Sequence, residues 1–281
     1  MRGSFAGGGL AAMTQTYPAV NFNLVVGVSA GSCDAAYYVI AGESDSDLAM
    51  SRLNIWRQEL VGSRLINFLN PLRGKPFLNQ EYLVDSLFAR KYRLRAEAFD
   101  EIKTQFYVVV SNLRTFVPEY IKATSSNILQ LLKAATAIPI ATSGKWTLFN
   151  NSYTDGGVLD PLPVEAVLRA GYRRLTVILN DPVGFRARQI SRVVSFLSYP
   201  FNKDIRMRLH REYHEKYNRA LEILNRPPAG VEVTIVAPDR RAPAGLITTN
   251  EKAVNRNIDM GLQAGFKAFE RLKGKRWFWQ R

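Results

Sequence analysis

A chain of 281 residues, 47% hydrophobic and 22% charged, has the length and composition to bury a sizeable core. Its 38 Lys+Arg against 24 Asp+Glu leave a formal charge of +14, which favours an anionic partner, either nucleic acid or an anionic membrane surface. The one cysteine, Cys33, excludes an internal disulfide and a cysteine metal cluster and fits a reducing compartment such as the cytoplasm.

Four β-rich runs stand out in chain order: 21–28 (NFNLVVGV), 104–113 (TQFYVVVSNL), 173–180 (RRLTVILN) and 231–238 (VEVTIVAP). They are nearly continuous in apolar, often β-branched residues, the pattern of strands buried on both faces. Helical patterns lie between them. The stretch 79–91 sets Leu83, Leu87 and Phe88 on one face, and 128–138 and 163–172 read as short helices. In the latter, Pro163 near the first turn and Gly171 near the end show the expected asymmetry. The segment 248–273 places Thr248 and Glu251 in capping-box spacing and carries an apolar stripe of Val254, Ile258, Leu262, Phe266 and Phe269. Strands alternating with helices predict an α/β fold, a mostly parallel sheet covered by helices on both faces. No stretch reads as a linker, so residues 1–281 are expected to form one domain. Its motif-bearing core is 1–180, followed by a basic helical cap, one further strand and a C-terminal helix in 181–281. No apolar run approaches the ~18 residues that cross a bilayer. If Met1 is the true start, the opening residues do not read as a secretory leader.

The run 21–28 ends in Gly27-Val28-Ser29-Ala30-Gly31, a G-x-S-x-G between a strand and a helical pattern (30–40). A sharp strand-to-helix turn of this kind exposes the serine Oγ, and the helix N-terminus favours negative charge developing there. A nucleophilic serine needs a base. The two histidines, His210 and His214, share one face of a charged helical stretch. They lack a third ligand and the H-E-x-x-H pattern, so no metal is expected and they read as solvated surface residues. Asp155, followed by Gly156 and Gly157, is a second base candidate; spacing alone does not separate it from an ordinary Asp-Gly turn.

Four stretches taken in order resemble the patatin-like phospholipase family. The opening residues MRGSF are similar to the end of its oxyanion motif G-G-G-x-R-G, with Arg2 and Gly3 as the last two members. Gly27 to Gly31 match its serine elbow. Residues 134–139 (AATAIP) are similar to its A-S-x-A-x-P segment, with Thr136 as a departure, and Asp155-Gly156-Gly157 with the following PLPV match its D-G-G. The resemblance covers residues 1 to about 180 and implies a three-layer α/β fold. It also implies a serine–aspartate dyad in which Ser29 attacks an acyl ester and Asp155 serves as the base, with no cofactor. The substrate would be a phospholipid or related lipid at an anionic membrane surface, on which the protein would be peripheral; nucleic acid is not expected. The oxyanion would be held by backbone amides around Arg2, Gly3 and Ala30. The family's glycine triplet and first strand would fall before Met1, so residues 1–281 are expected to lack them.

Two other readings remain at this level. An α/β-hydrolase triad Ser29–Asp155–His210 has the right chain order, but few residues precede the serine. A non-catalytic membrane binder would use the nine Lys/Arg against three acidic residues of 184–219 and the basic, aromatic end with Trp277, Phe278 and Trp279. The run Gly7-Gly8-Gly9 is expected not in the oxyanion loop but inside the helix after it, letting that helix pack close to the elbow strand.

Overall fold

A computed structural model describes residues 1–41 and 46–273. The chain starts with α1 (Ser4–Thr16), β1 (Leu24–Val28), α2 (Ala30–Ile40) and α3 (Ser46–Asn54). A π-type helix over Tyr82–Lys91 follows, then β2 (Gln105–Asn112), β3 (Pro118–Lys122), α4 (Ile128–Ala135), β4 (Trp146–Leu148) and β5 (Asn151–Asp155). The second half has α5 (Val164–Arg169), β6 (Arg174–Ile178), α6 (Arg192–Ser198), α7 (Lys203–Arg211) and α8 (Tyr213–Asn225), and it closes with β7 (Glu232–Val236) and α9 (Glu251–Lys273).

All four expected strands form, as β1, β2, β6 and β7, and the fold is three-layer α/β. The two parallel pairings are β1–β2 and β6–β7. The remaining three are antiparallel: β3 returns beside β2, β5 continues the β1 side of β2's pairing beyond Val109, and β4 hairpins onto β5. These three strands are short, and β3 is half-exposed along most of its length, so their apolar signal is weak.

Only β2 is buried as its composition predicts, with Val108, Val109 and Val110 fully covered. Most residues of β1 and β6 are half-buried, and the arrangement of the sheets is the reason. In each sheet, β1 or β6 is an end strand, and all five residues of both line one cavity of about 280 Å³. Leu10 and Met13 of α1, Tyr38 of α2 and Leu162 complete its apolar walls. Two strand edges therefore face a common slot.

The largest core surrounds α1, α2, α4, β2 and α9, with Phe5, Tyr38, Leu131, Leu132, Val254, Ile258 and Phe269 all buried. The triplet Gly7-Gly8-Gly9 lies within α1 as expected, but its neighbours are not the elbow strand: Gly8 packs on α9, Gly7 faces Trp56 and Asp34, and Gly9 faces Val236 and Ile178. A Cβ at Gly8 would stand 2.1 Å from the Ile258 carbonyl oxygen, and one at Gly261 would stand 2.0 Å from that of Phe5. Two facing glycine-bearing helices can approach backbone to backbone only because neither carries side chains there. The expected cap of α9 is also corrected. Asn250, not Thr248, caps the helix, its Oδ1 accepting from the Ala253 amide at 2.9 Å, while the Thr248 hydroxyl accepts from Gly245. The Trp277, Phe278 and Trp279 expected to meet a membrane lie outside the described residues.

The basic region after 181 folds as α6, α7 and α8. The inner face of α8 (Ala220, Leu221, Leu224) packs with Val164 of α5 and Leu175 of β6. Ile205 and Leu209 of α7 join Tyr199, Val158 and Leu159, beside the Asp155 turn.

Candidate active site

At the end of β1 the chain turns sharply into α2. Ser29 occupies φ 53°, ψ −131°, a left-handed setting that a non-glycine residue adopts at a cost of about 1–3 kcal/mol. The turn holds because the Ser32 amide donates to the Ser29 carbonyl at 2.9 Å and because Gly27 leaves room for Ser32. A Cβ at Gly27 would stand 2.6 Å from the Ser32 Cα. Gly31, the other glycine of the elbow, is not required by crowding. A Cβ there meets nothing within 4 Å, and the residue lines the slot.

Asp155 ends β5, and the Ser29 hydroxyl donates directly to its Oδ2 at 2.5 Å, across 126 residues of chain. The other carboxylate oxygen, Oδ1, accepts from the Gly157 amide at 2.7 Å. Gly156 is required by close approach: a Cβ would stand 2.2 Å from the Val109 carbonyl oxygen, inside the pairing of β5 with β2. Burial pushes the Asp155 carboxyl up to about 6, while its bonds from Ser29 and Gly157 pull the other way.

Several supports of this carboxylate were not read from the sequence. Ser111 of β2 donates to the Asp155 carbonyl at 2.8 Å and accepts from the Leu159 amide, tying the turn to the sheet. The Ala137 carbonyl accepts from the Asp155 amide and the Thr154 hydroxyl. This puts the 134–139 segment directly behind the carboxylate, where Thr136 bonds to Leu132 and Gln80. The Tyr199 hydroxyl lies 2.8 Å from that of Thr154. A lone serine within the apolar run FYVVVSNL was the one usable signal; the others are backbone or distant partners.

Arg2 and Gly3 stand against the elbow from the other side. A Cβ at Gly3 would be 2.8 Å from the Ala30 Cβ, so glycine lets the opening turn lie on the start of α2. The Arg2 guanidinium pairs with Asp181 beyond β6, and the Ala6 amide donates to Asn180. Met1 is buried, and its α-amino group donates to the Leu246 carbonyl. Burial, assisted by the neighbouring Arg2 charge, lowers that amine to about 5.

The histidines are elsewhere. The His210 Nδ1 is 2.6 Å from the Ile190 carbonyl, which makes it a donor there. With Ser29 bonded straight to Asp155 and the other carboxylate oxygen taken by Gly157, no imidazole stands between them as a Ser–His–Asp triad requires. The His214 Nδ1 is buried without a partner. Among the described residues, no group of three or more His, Cys, Asp or Glu could hold a metal ion. No helix among them is long and apolar enough to cross a membrane.

Two comparisons bear on this arrangement. The family model "patatin-like phospholipase" matches residues 1–168, and a second model, "domain of unknown function (DUF6363)", matches 207–274. The chain is also 21% identical over 252 residues to "uncharacterized protein YjjU" of Escherichia coli (strain K12), an alignment spanning 87% of this chain and 68% of that protein.

Proposed function

The chain belongs to the patatin-like phospholipase family, and we propose that it is a serine acyl-ester hydrolase of phospholipase A or lysophospholipase type, working through a Ser29–Asp155 dyad. The observation that carries this reading is the direct hydrogen bond from Ser29 Oγ to a buried Asp155, at the turn where Ser29 holds a left-handed backbone.

In the proposed reaction the Ser29 oxygen attacks the ester carbonyl carbon as its proton passes to Asp155 Oδ2. A carboxylate in water is a poor base for a hydroxyl. Here desolvation has raised its proton affinity toward working pH, which narrows the mismatch. The tetrahedral oxyanion is held by backbone amides at the elbow and the opening turn, Ala30 and Gly3. The amide of Ala30, first residue of α2, has no acceptor within its own helix. Each such donor is worth about 3 kcal/mol of barrier. Collapse expels the alcohol, which takes the proton back from Asp155. Water, activated by the same carboxylate, then releases the fatty acid. The Gly156 and Gly157 turn keeps Asp155 oriented, and Arg2 tethers the Gly3 turn through Asp181.

We propose a lipid ester as substrate, presented at an anionic membrane surface where a +14 chain is attracted. A fluorophosphonate probe tests the dyad. It is expected to label the wild-type chain once, on Ser29, and to leave Ser29→Ala unlabelled; labelling that persists in Ser29→Ala would overturn the assignment.

A further inference from the structure

Helix α6 (Arg192–Ser198) is built inside out. Its inward face is polar: Ser195 is 1% exposed and its hydroxyl donates to Ser191 within the chain. Its outward face is apolar: Val193 is 68% exposed, Leu197 59%, and Phe196 is likewise bare. The segment that follows presents Phe201 fully to solvent. A surface helix in water normally shows the opposite arrangement, so this face calls for an apolar neighbour.

The charges around the patch say which neighbour. From residue 183 to residue 203 there is no aspartate or glutamate, while Arg188, Arg192 and Lys203 are exposed; Arg186, also here, is paired with Glu222. Arg206 lies over the Phe196 ring at 5.2 Å, bringing a guanidinium to the edge of the apolar face. A second copy of this chain would bring the same positive rim against it and be repelled. A bilayer with anionic headgroups offers hydrocarbon to the aromatics and negative charge to the arginines together.

The patch is also tied to the proposed site. Tyr199, next after α6, is buried and bonded to Thr154, the residue before Asp155. The α6–α7 corner is pinned to the end of β2, where Asn202 donates to the Leu113 carbonyl. A surface gripped by α6 is therefore held near the dyad.

We propose that α6 and Phe201, with their arginine rim, form the surface by which this protein docks on an anionic bilayer, bringing the Ser29–Asp155 site to lipid esters. The docking claim stands on the patch itself. Only the purpose of the docking rests on the hydrolase reading.

The test is co-sedimentation of the full chain with phosphatidylglycerol-containing vesicles and with pure phosphatidylcholine vesicles, for wild type, a Phe196→Ser/Leu197→Ser/Phe201→Ser variant, an Arg188→Glu/Arg192→Glu variant and Ser29→Ala. All but the last alter solvent-exposed residues, and circular dichroism checks that each variant keeps its fold. Wild type is expected to favour anionic vesicles, and both surface variants to bind them about tenfold more weakly or worse. Ser29→Ala is expected to bind like wild type while losing ester cleavage; a wild-type chain that docks but cleaves no ester would sink the hydrolase reading and leave the docking surface standing. Removing residues 274–281 is expected to leave binding within about twofold. Equal binding to both vesicle types, undiminished binding by the Phe196→Ser/Leu197→Ser/Phe201→Ser variant, or loss of binding only with the C-terminal truncation would each overturn the proposal. So would a wild-type dimer that the Phe196→Ser/Leu197→Ser/Phe201→Ser variant converts to monomer.

Discussion

On the Asp155 side of the elbow the carboxylate and the backbone behind it are hydrogen-bonded. The carboxylate has Ser29 and Gly157, the backbone behind it has Ser111 and Ala137, and Gly156 seats the turn against Val109. On the opposite side β1 and β6 turn two strand edges toward a slot of about 280 Å³, and the Gly3 turn leans on Ala30 beside a buried amino group. The half proposed to supply the base is held by hydrogen bonds from three separate segments. The half that would receive the oxyanion has fewer supports, and the slot of about 280 Å³ lies beside it.

The largest effects are expected on the Asp155 side. Ser29→Ala and Asp155→Asn should each lower ester cleavage roughly a thousandfold or more, measured on a soluble short-chain ester, because neither partner has a substitute. Gly156→Ala should cost stability by about 1–3 kcal/mol in denaturant unfolding, since its Cβ would stand 2.2 Å from a fixed carbonyl oxygen. Gly31→Ala, with nothing within 4 Å of its Cβ, should stay within about 0.5 kcal/mol of wild type. Equal losses at the two glycines would erase the contrast between the two sides.

The slot side predicts a pH effect. In the unfolded chain the Met1 amine protonates near 8.0, whereas in the folded chain it resists until about 5. Between those values the unfolded state holds the extra proton, so stability should fall as pH is lowered from about 8 to 5, by at most ~1.4 kcal/mol per unit. A version carrying an extended apolar segment ahead of Met1 replaces that amine with a neutral amide and offers a strand to the slot. It should unfold several degrees higher and lose this slope, as read by thermal melts across that range. An unchanged melting temperature would mean that the slot does not accept a strand.

Asp155 titrates with the opposite sign. Its folded pKa of about 6 lies above its ordinary value, so its contribution to stability is present at low pH and is lost as pH rises from about 4 through 6. Its use as a base runs the other way: kcat/KM should climb with pH through about 6 and then level off.

The parts legible in the sequence were those with local, periodic or motif-level signals. The elbow, the D-G-G turn and the four apolar strands each announce themselves within a few residues. β3, β4 and β5 did not, because short antiparallel strands with polar residues have no period long enough to read. The contact of Ser111 with the Asp155 carbonyl spans 44 residues and leaves no trace in spacing. The inside-out α6 carries apolar residues like any helix, and only burial reveals that they face outward. The glycine triplet was legible as helical, but its partner helix lies about 250 residues away, where Ile258 and Gly261 receive it.

The central claim is that Ser29 and Asp155 act as a pair without a histidine, and probe labelling of four chains tests it most directly. Fluorophosphonate should modify wild type and His210→Ala at rates within about twofold of each other, and should fail on Ser29→Ala and fall by orders of magnitude on Asp155→Asn. Loss of labelling in a folded His210→Ala, or full labelling in Asp155→Asn, would contradict the dyad.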